Sequence, residues 1–84
     1  MSLHVKIIGN KTNPIVIGAE CIKGPVEVGM SVGVDVENNN IGIISTIEVN
    51  TKYVRIIHSG EKAVIKIDSN YEFTKLDSNL IYVT

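Results

Sequence analysis

The segment from residue 52 to residue 62 concentrates positive charge in this 84-residue chain. Its cationic members are Lys52, Arg55, His58 and Lys62. They fall across two turns and one short apolar stretch, so the folded chain can present them along one rim. Such side chains contact RNA phosphates and release counterions, and this works locally even on a nearly neutral domain. We therefore predict these four residues as RNA-binding candidates.

A second interpretation of the same segment stays open. Glu48 and Glu61 lie close to the cations in sequence and could neutralise them, which would make the segment an ordinary solvated surface. Tyr53 is equally ambiguous. It can stack on a base or ribose, or it can pack half-buried against the domain, as strand tyrosines commonly do.

Residues for covalent catalysis are not assembled in this sequence. Cys21 stands beside Ile22 in an apolar strand, where a buried small hydrophobic residue is the usual outcome and no base lowers its pKa. Ser45 and Thr46 lie within a regular strand, without the sharp strand-to-helix turn that exposes a hydrolase nucleophile. We predict no catalytic residues, and therefore no enzymatic activity for this chain.

Cofactor and metal sites are also not predicted. The seven glycines fit neither the P-loop nor the dinucleotide-binding pattern, and His4 and His58 have no ligand partner at a useful spacing. Asp35 and Asp68 are interpreted as surface charges at strand ends. A single cysteine excludes an internal disulfide and is consistent with a reducing cytosol. Our expectation is no cofactor and no bound metal.

Size and composition indicate one all-β domain. A chain of 84 residues has room for one hydrophobic core. Isoleucine and valine dominate the apolar residues while aromatic residues make up 5%, and β-branched side chains favour pleated strands. The net charge of -1 gives no overall attraction to nucleic acid or to an anionic membrane. No uncharged run approaches the ~20 residues that span a bilayer, so no membrane partner is expected.

Alternation of apolar and polar residues predicts short strands separated by turns. The expected strands cover residues 3–8, 15–22, 31–36, 41–49, 53–57, 63–68, 71–73 and 80–83. In the 41–49 strand, strict alternation places Ile43 and Ile47 on one side and Ile44 on the other. The residues expected to face the core elsewhere are Val32, Val34, Val36, Ala63, Ile65 and Ile67.

Turn residues separate these strands. Asn50-Thr51-Lys52 and Ser59-Gly60-Glu61-Lys62 are predicted turns, and residues 37–40 a hairpin loop. The fold class predicted is a small closed antiparallel β-barrel, because closure removes the exposed edges of isoleucine-rich strands.

Four segments also resemble a known family. They are residues 13–18, 24–32, 41–50 and 60–67. In order and spacing they resemble the second-domain type of barrel of translational GTPases, and most of all the C-terminal barrel of eukaryotic and archaeal initiation factor five B, the counterpart of bacterial initiation factor two. The resemblance extends over nearly all of residues 5 to 83.

This resemblance implies a function. Barrels of this family approach the acceptor end of initiator tRNA during ribosomal subunit joining, and the four cations lie in or next to the corresponding loops. The expected partners are initiator tRNA and the ribosome, with another initiation factor as a further candidate, in the cytoplasm. Residues 1–84 would be one monomeric domain of a larger multi-domain GTPase, with residues 1–3 foreign to it. The alternative is a protein-interaction barrel that makes no direct RNA contact.

Overall fold

Nine short β-strands make up the regular structure in the computed structural model, which describes residues 1–7, 14–71 and 80–84. The strands are β1 (Ser2–Ile7), β2 (Ile15–Lys23), β3 (Val26–Glu27), β4 (Ser31–Gly33), β5 (Gly42–Val49), β6 (Lys52–Val54), β7 (Ile56–Ile57), β8 (Lys62–Asp68) and β9 (Leu80–Val83). The all-β prediction is confirmed for the described residues. The predicted strand at 71–73 falls largely outside them.

Seven strands form one antiparallel sheet in the order β4-β9-β1-β2-β8-β5-β6. β4 pairs not only with β9 but also with β5, while β3 and β7 form a separate two-stranded sheet. The longest uninterrupted register joins β2 to β8, from Ile15 opposite Ile67 to Glu20 opposite Lys62. Because β5, β6 and β8 are antiparallel neighbours, the end of β5 and the starts of β6 and β8 lie at one end of the sheet.

The core consists mainly of aliphatic residues from one side of this sheet. Alternation along β2 and β8 is strict, and Ala63, Ile65 and Ile67 are buried as predicted. The largest side chains with almost no exposure are Leu3, Ile15, Ile17, Ile44, Ile47, Ile57, Ile65, Ile67 and Ile81. Branched aliphatic side chains interdigitate closely across paired strands, and their burial is the main stabilising contribution in this domain.

The predicted alternation of β5 is wrong because a bulge interrupts it. Ile44 pairs with Ile67 but Thr46 pairs with Lys66, so Ser45 is an extra residue in the ladder. The Ser45 hydroxyl donates a hydrogen bond to the Lys66 carbonyl, 3.1 Å away. The bulge changes the side of the sheet that the residues after it face. Ile44 is therefore buried together with Ile47, whereas Ile43 is 50% exposed.

The inward facing predicted for Val36 is also wrong, whereas Val34 packs against the core as predicted. β4 ends at Gly33, and the chain then folds into a turn in which the Asp35 carboxylate accepts the Asn38 amide at 2.7 Å. The Val34 amide donates to the Asn38 carbonyl at 2.8 Å. This local turn replaces strand pairing, so Val34 is only half-buried and Val36 at its tip is 91% exposed.

Candidate nucleic-acid interface

The structure places three of the four predicted cations at one end of the sheet. Lys52 begins β6 opposite Val49, and Lys62 begins β8. Because Glu48 pairs with Val64, the end of β5 lies between the two lysines. β6 and β8 are separated by two inter-strand spacings, so the backbones of Lys52 and Lys62 lie about 10 Å apart. Both side chains are exposed, as RNA binding requires. We call Lys52, Arg55, His58 and Lys62 the basic rim.

His58 reaches this end through a tightly bonded turn. The Glu61 amide donates to the His58 carbonyl at 3.1 Å, and the Glu61 carboxylate accepts the His58 amide at 2.8 Å. The same turn is tied to the end of β2, because the Cys21 amide donates to the Glu61 carbonyl and the Gly60 amide to the Cys21 carbonyl. Glu61 thus has a structural role in the turn, and it leaves the His58 ring exposed.

Arg55 lies between Lys52 and His58 in the chain. It connects β6 to β7, three residues beyond Lys52, which corresponds to about 10 Å along an extended chain. Its carbonyl accepts the Val28 amide at 2.9 Å, which anchors the backbone while the residue stays exposed. Arg55 therefore lies on the segment that joins Lys52 to His58.

The turn before Lys52 holds two residues in a strained conformation. Asn50 has φ 51° and Thr51 has φ 66°, as in the tight turns that favour Asn-Gly. Asparagine tolerates this region, but a β-branched threonine there is a clear outlier. The predicted turns at Asn50-Thr51-Lys52 and Ser59-Gly60-Glu61-Lys62 are confirmed in position, although Lys52 and Lys62 already begin strands, and Gly60 has φ 91°. Strain of this kind is concentrated at functional sites in other proteins, which makes this turn a place to look for binding.

Tyr53 is 70% exposed, so the interpretation that it packs half-buried on the domain is wrong. It pairs with Glu48, and Glu48 pairs in turn with Val64. Directly opposite residues of an antiparallel ladder face the same side of the sheet. Tyr53 therefore belongs to the outer surface of the sheet, with its ring available to solvent.

Two further lysines on that outer surface could not be found from sequence spacing. Lys66 follows Lys62 by four residues in β8 and faces the same side, and Lys6 lies on β1 opposite Gly18. Lys6 and Lys66 are far apart in sequence, and only the registers of β1, β2 and β8 bring them together. Both are exposed. Their alternation with buried residues was the only available signal, and it does not reveal which strands are neighbours.

Cys21 is buried, as predicted, and packs in the core. Burial raises the pKa of its thiol, and the nearby Glu61 carboxylate raises it further. A thiol in this environment is a poor nucleophile. Among the described residues, no three histidine, cysteine, aspartate or glutamate side chains are grouped closely enough to hold a metal ion. None of the described residues belongs to a helix with the length and hydropathy needed to traverse a bilayer.

Comparison with known proteins decides the family. The family described as elongation factor Tu domain 4 matches residues 2–76, which is most of the chain. The chain belongs to the elongation factor Tu domain 4 family. The predicted resemblance to a barrel of translational GTPases is thereby confirmed, and family membership supports a role in translation.

Two curated proteins are similar to this chain over most of its length. The chain is similar to eukaryotic translation initiation factor 5B of Rattus norvegicus, with 35% identity over 69 residues. It is equally similar to eukaryotic translation initiation factor 5B of Mus musculus. These matches cover 81% of this chain and 6% of each relative. The similarity therefore concerns one small part of a much longer protein, as the predicted resemblance implied.

Proposed function

We propose that this chain is a non-catalytic barrel domain of a translation initiation GTPase and that its basic rim binds the acceptor end of initiator tRNA during ribosomal subunit joining. The GTPase activity and the ribosome contacts would belong to the full-length factor, which acts in the cytoplasm. The observation that carries the proposal is the convergence of Lys52, His58 and Lys62, all exposed, at the end of a sheet whose family and relatives are translation factors.

We also infer that the main sheet closes into a barrel. The inference is supported by the double pairing of β4, with β9 on one side and β5 on the other. In that arrangement β6, which is three residues long, has a free edge among the described strands of the main sheet. Closure would fix the positions of the loops around each end and so preorganise the basic rim for binding.

Local charge distribution supports the site. The described loop between β4 and β5 carries Asp35 and Glu37, and Asp68 ends β8 beside the start of β5. We call Asp35, Glu37 and Asp68 the acidic end. The acidic end lies at the other end of the sheet from the basic rim, where Glu48 and Glu61 accompany the cations. A polyanion would be attracted to the basic rim and repelled from the acidic end, which orients the encounter.

The test is the salt dependence of initiator tRNA binding. Fluorescence anisotropy at several salt concentrations should give a linear plot of log affinity against log salt concentration. In the Lys52→Gln/Arg55→Gln double variant we expect the magnitude of the slope to fall by about 2, because each phosphate contact contributes about 1.

The matched control is Asn39→Asp/Asn40→Asp, which adds two negative charges and so changes the net charge by the same amount as Lys52→Gln/Arg55→Gln, but at exposed positions away from the basic rim. We expect this control to leave the slope within experimental error of the unsubstituted chain. Equal slopes for the rim variant and the control would refute a phosphate-binding rim.

A second candidate function is a protein-interaction barrel without RNA contact. The observation that favours it is an apolar depression of about 440 Å³, lined by Gly33, Val34, Asp35, Val36, Asn39, Tyr82 and Thr84. Val36 is 91% exposed and Tyr82 is 49% exposed. Exposed apolar groups in a concave surface are typical of sites that take up a segment of a partner protein.

This candidate predicts a nuclease-resistant association with another initiation factor that depends on Val36. In a pull-down with purified initiation factors, Val36→Asp should abolish the association while Lys52→Gln leaves it intact. An association that disappears after nuclease treatment would instead indicate bridging by RNA and favour the basic rim.

A further inference from the structure

Two depressions lie side by side on the outer surface around β4. The first is the apolar depression of about 440 Å³ that Val36 and Tyr82 help to line. The second has a volume of about 390 Å³ and is more polar, and its lining residues are Asn40, Ile41, Gly42, Ile43, Asp68, Ser69 and Asn70. Asn39 lines the first and Asn40 the second, so they are neighbours. We call them the paired depressions.

The loop between β4 and β5 forms one wall of the apolar depression. A Cβ atom on Gly33 would lie 2.7 Å from the Asn39 backbone, so this loop folds directly over the outer side of β4. The Asp35 carboxylate holds the loop in its turn by accepting the Asn38 amide. The wall is therefore in place before a partner arrives, which reduces the cost of binding.

The strand ladder relates the two depressions. Tyr82 pairs with Gly33, and two residues earlier in β4 Ser31 pairs with Ile43, which pairs in turn with Asp68. Directly opposite residues face the same side of a sheet, so Tyr82, Ile43 and Asp68 share the outer surface. Strand spacing and rise per residue place Tyr82 and Asp68 about 16 Å apart along the sheet. About five residues of an extended chain span that distance.

Negative charge surrounds the paired depressions. Asp35 lines the apolar depression, Asp68 lines the polar one, and Glu37 is exposed in the loop beside them. No lysine, arginine or histidine of the described residues lines either depression. A cationic group would therefore be attracted to this surface, whereas a nucleic acid would be repelled.

The ligand that fits this combination is a protein segment with an apolar anchor and basic flanks. Aromatic side chains seated in a pocket contribute much of the binding energy of protein interfaces, and such a side chain suits the apolar depression. Two lysines of this chain approach the margins, Lys23 opposite Ser2 in β1 and Lys66 two residues before Asp68 in β8. The cationic groups of a partner should therefore lie between these margins, close to Glu37 and Asp68.

We propose that the paired depressions bind an extended segment of a partner protein, with an aromatic or leucine side chain in the apolar depression and lysine or arginine side chains beside Glu37 and Asp68. The inference rests on the protein-interaction function, the second candidate, and defines the chemistry of its partner. It does not depend on RNA binding at the basic rim.

The experiment titrates the unsubstituted chain with three acetylated and amidated heptapeptides and follows its amide chemical shifts. In KSFSKSK the phenylalanine and the lysines occupy alternate positions, so they lie on one side of an extended chain. KSSSKSK lacks the anchor, and ESFSESE reverses the charge. We expect KSFSKSK to shift the amides around both depressions, and the other two peptides to bind at least about tenfold more weakly. Equal binding of KSFSKSK and ESFSESE would refute the inference.

Variants of the chain test the same contacts from the other side. Glu37→Gln/Asp68→Asn should weaken binding of KSFSKSK at least about fivefold, because it removes two carboxylates that face the lysines. The matched control is Glu27→Lys, which changes the net charge by the same amount at an exposed residue outside the paired depressions. It should stay within about twofold of the unsubstituted chain. Val36→Asn should weaken binding at least about threefold, because it removes an apolar wall.

The outcomes separate this inference from the function on which it rests. Amide spectra without peptide verify that every variant is folded. If association with an initiation factor depends on Val36 but KSFSKSK shifts no amide, the basic-apolar chemistry is refuted and the protein-interaction function stands. If both are absent, both fail. Equal affinities of the Glu37→Gln/Asp68→Asn variant and its control, or shifts here with RNA in place of peptide, would overturn the inference. Shifts that grow with protein concentration alone would identify a second copy of the chain as the occupant instead.

Discussion

The basic rim and the acidic end are built in different ways. At the basic rim, backbone hydrogen bonds and two tight turns hold exposed cations, and one of those turns contains the strained Thr51. At the acidic end, backbone segments approach so closely that Gly33 and Gly42 have no room for a side chain. The comparison indicates that close backbone packing determines the structure of the acidic end. At the basic rim, by contrast, the backbone of Thr51 is held in an unfavourable conformation on a surface that is available for binding.

The largest expected effect tests the packed region next to the acidic end. Ile44→Ala removes a fully buried side chain and should lower the free energy of unfolding by about 2 to 5 kcal/mol. Ile43→Ala, one residue earlier and half-exposed, should cost less than about 1 kcal/mol. Urea denaturation of both variants measures the difference. Similar losses at the two positions would contradict the bulge at Ser45.

Gly42→Ala tests the close approach at the same end. A Cβ atom there would lie 2.7 Å from the Asp68 carbonyl oxygen and 2.7 Å from the Ser69 Cβ, so the backbone must shift. We expect a loss of about 1 to 3 kcal/mol in the free energy of unfolding. Gly29→Ala is the comparison variant, because its φ of +94° disfavours alanine but no atom lies within 4 Å. A loss no greater than that of Gly29→Ala would argue against tight packing at Gly42.

At the basic rim we expect a substitution to raise the free energy of unfolding instead of lowering it. Thr51→Gly places at φ 66° the one residue that adopts this conformation without steric cost. Relief of strain should exceed the entropy that glycine adds to the unfolded chain, giving a net gain of about 0.5 to 1 kcal/mol in stability. Thermal and urea unfolding measure it, with Thr46→Gly in β5 as a control that should destabilise. A Thr51→Gly variant less stable than the parent chain would remove the argument from strain.

The smallest effect concerns the loop of the acidic end and its response to pH. The hydrogen bond from the Asn38 amide, and then that from its side chain, lower the pKa of Asp35 below the ordinary 3.8. A lowered folded-state pKa means that the carboxylate favours the folded turn above the ordinary pKa, and that this contribution disappears as the pH falls through the lowered pKa. The Asn38 amide signal should therefore shift in that acidic range, and in Asp35→Asn the shift should vanish. An Asn38 titration unchanged by Asp35→Asn would contradict the assigned hydrogen bond.

Sequence alternation correctly predicted which residues face the core in continuous strands. It failed in strands that a bulge or a turn interrupts. β2 and β8 are continuous ladders, so the inward facing of Ala63, Ile65 and Ile67 followed directly from their alternation. The prediction for β5 failed because the additional residue at Ser45 changes the side of the sheet that the following residues face. Several positions of this segment would accept a bulge equally well. The prediction for Val36 failed because the Asp35 carboxylate accepts a hydrogen bond from the Asn38 amide, and this local turn competes with strand extension in a way that alternation does not reveal.

The candidate site could be predicted only where its residues are neighbours in sequence. Lys52, His58 and Lys62 lie at one end of the sheet because one turn joins β5 to β6 and another joins β7 to β8. Turn residues in the sequence indicated both turns. Lys6 and Lys66 depend on which strands pair and in which register. That information comes from long-range packing, and no local pattern contains it.

The most direct test of the account maps initiator tRNA binding onto the two ends of the domain by amide chemical shifts. We predict shift changes that weaken with salt and are concentrated in residues 50–62, with residues 35–42 unaffected at the same tRNA concentrations. Shift changes centred on residues 35–42, or none anywhere in a folded sample, would contradict the claim that the basic rim is the RNA-binding end.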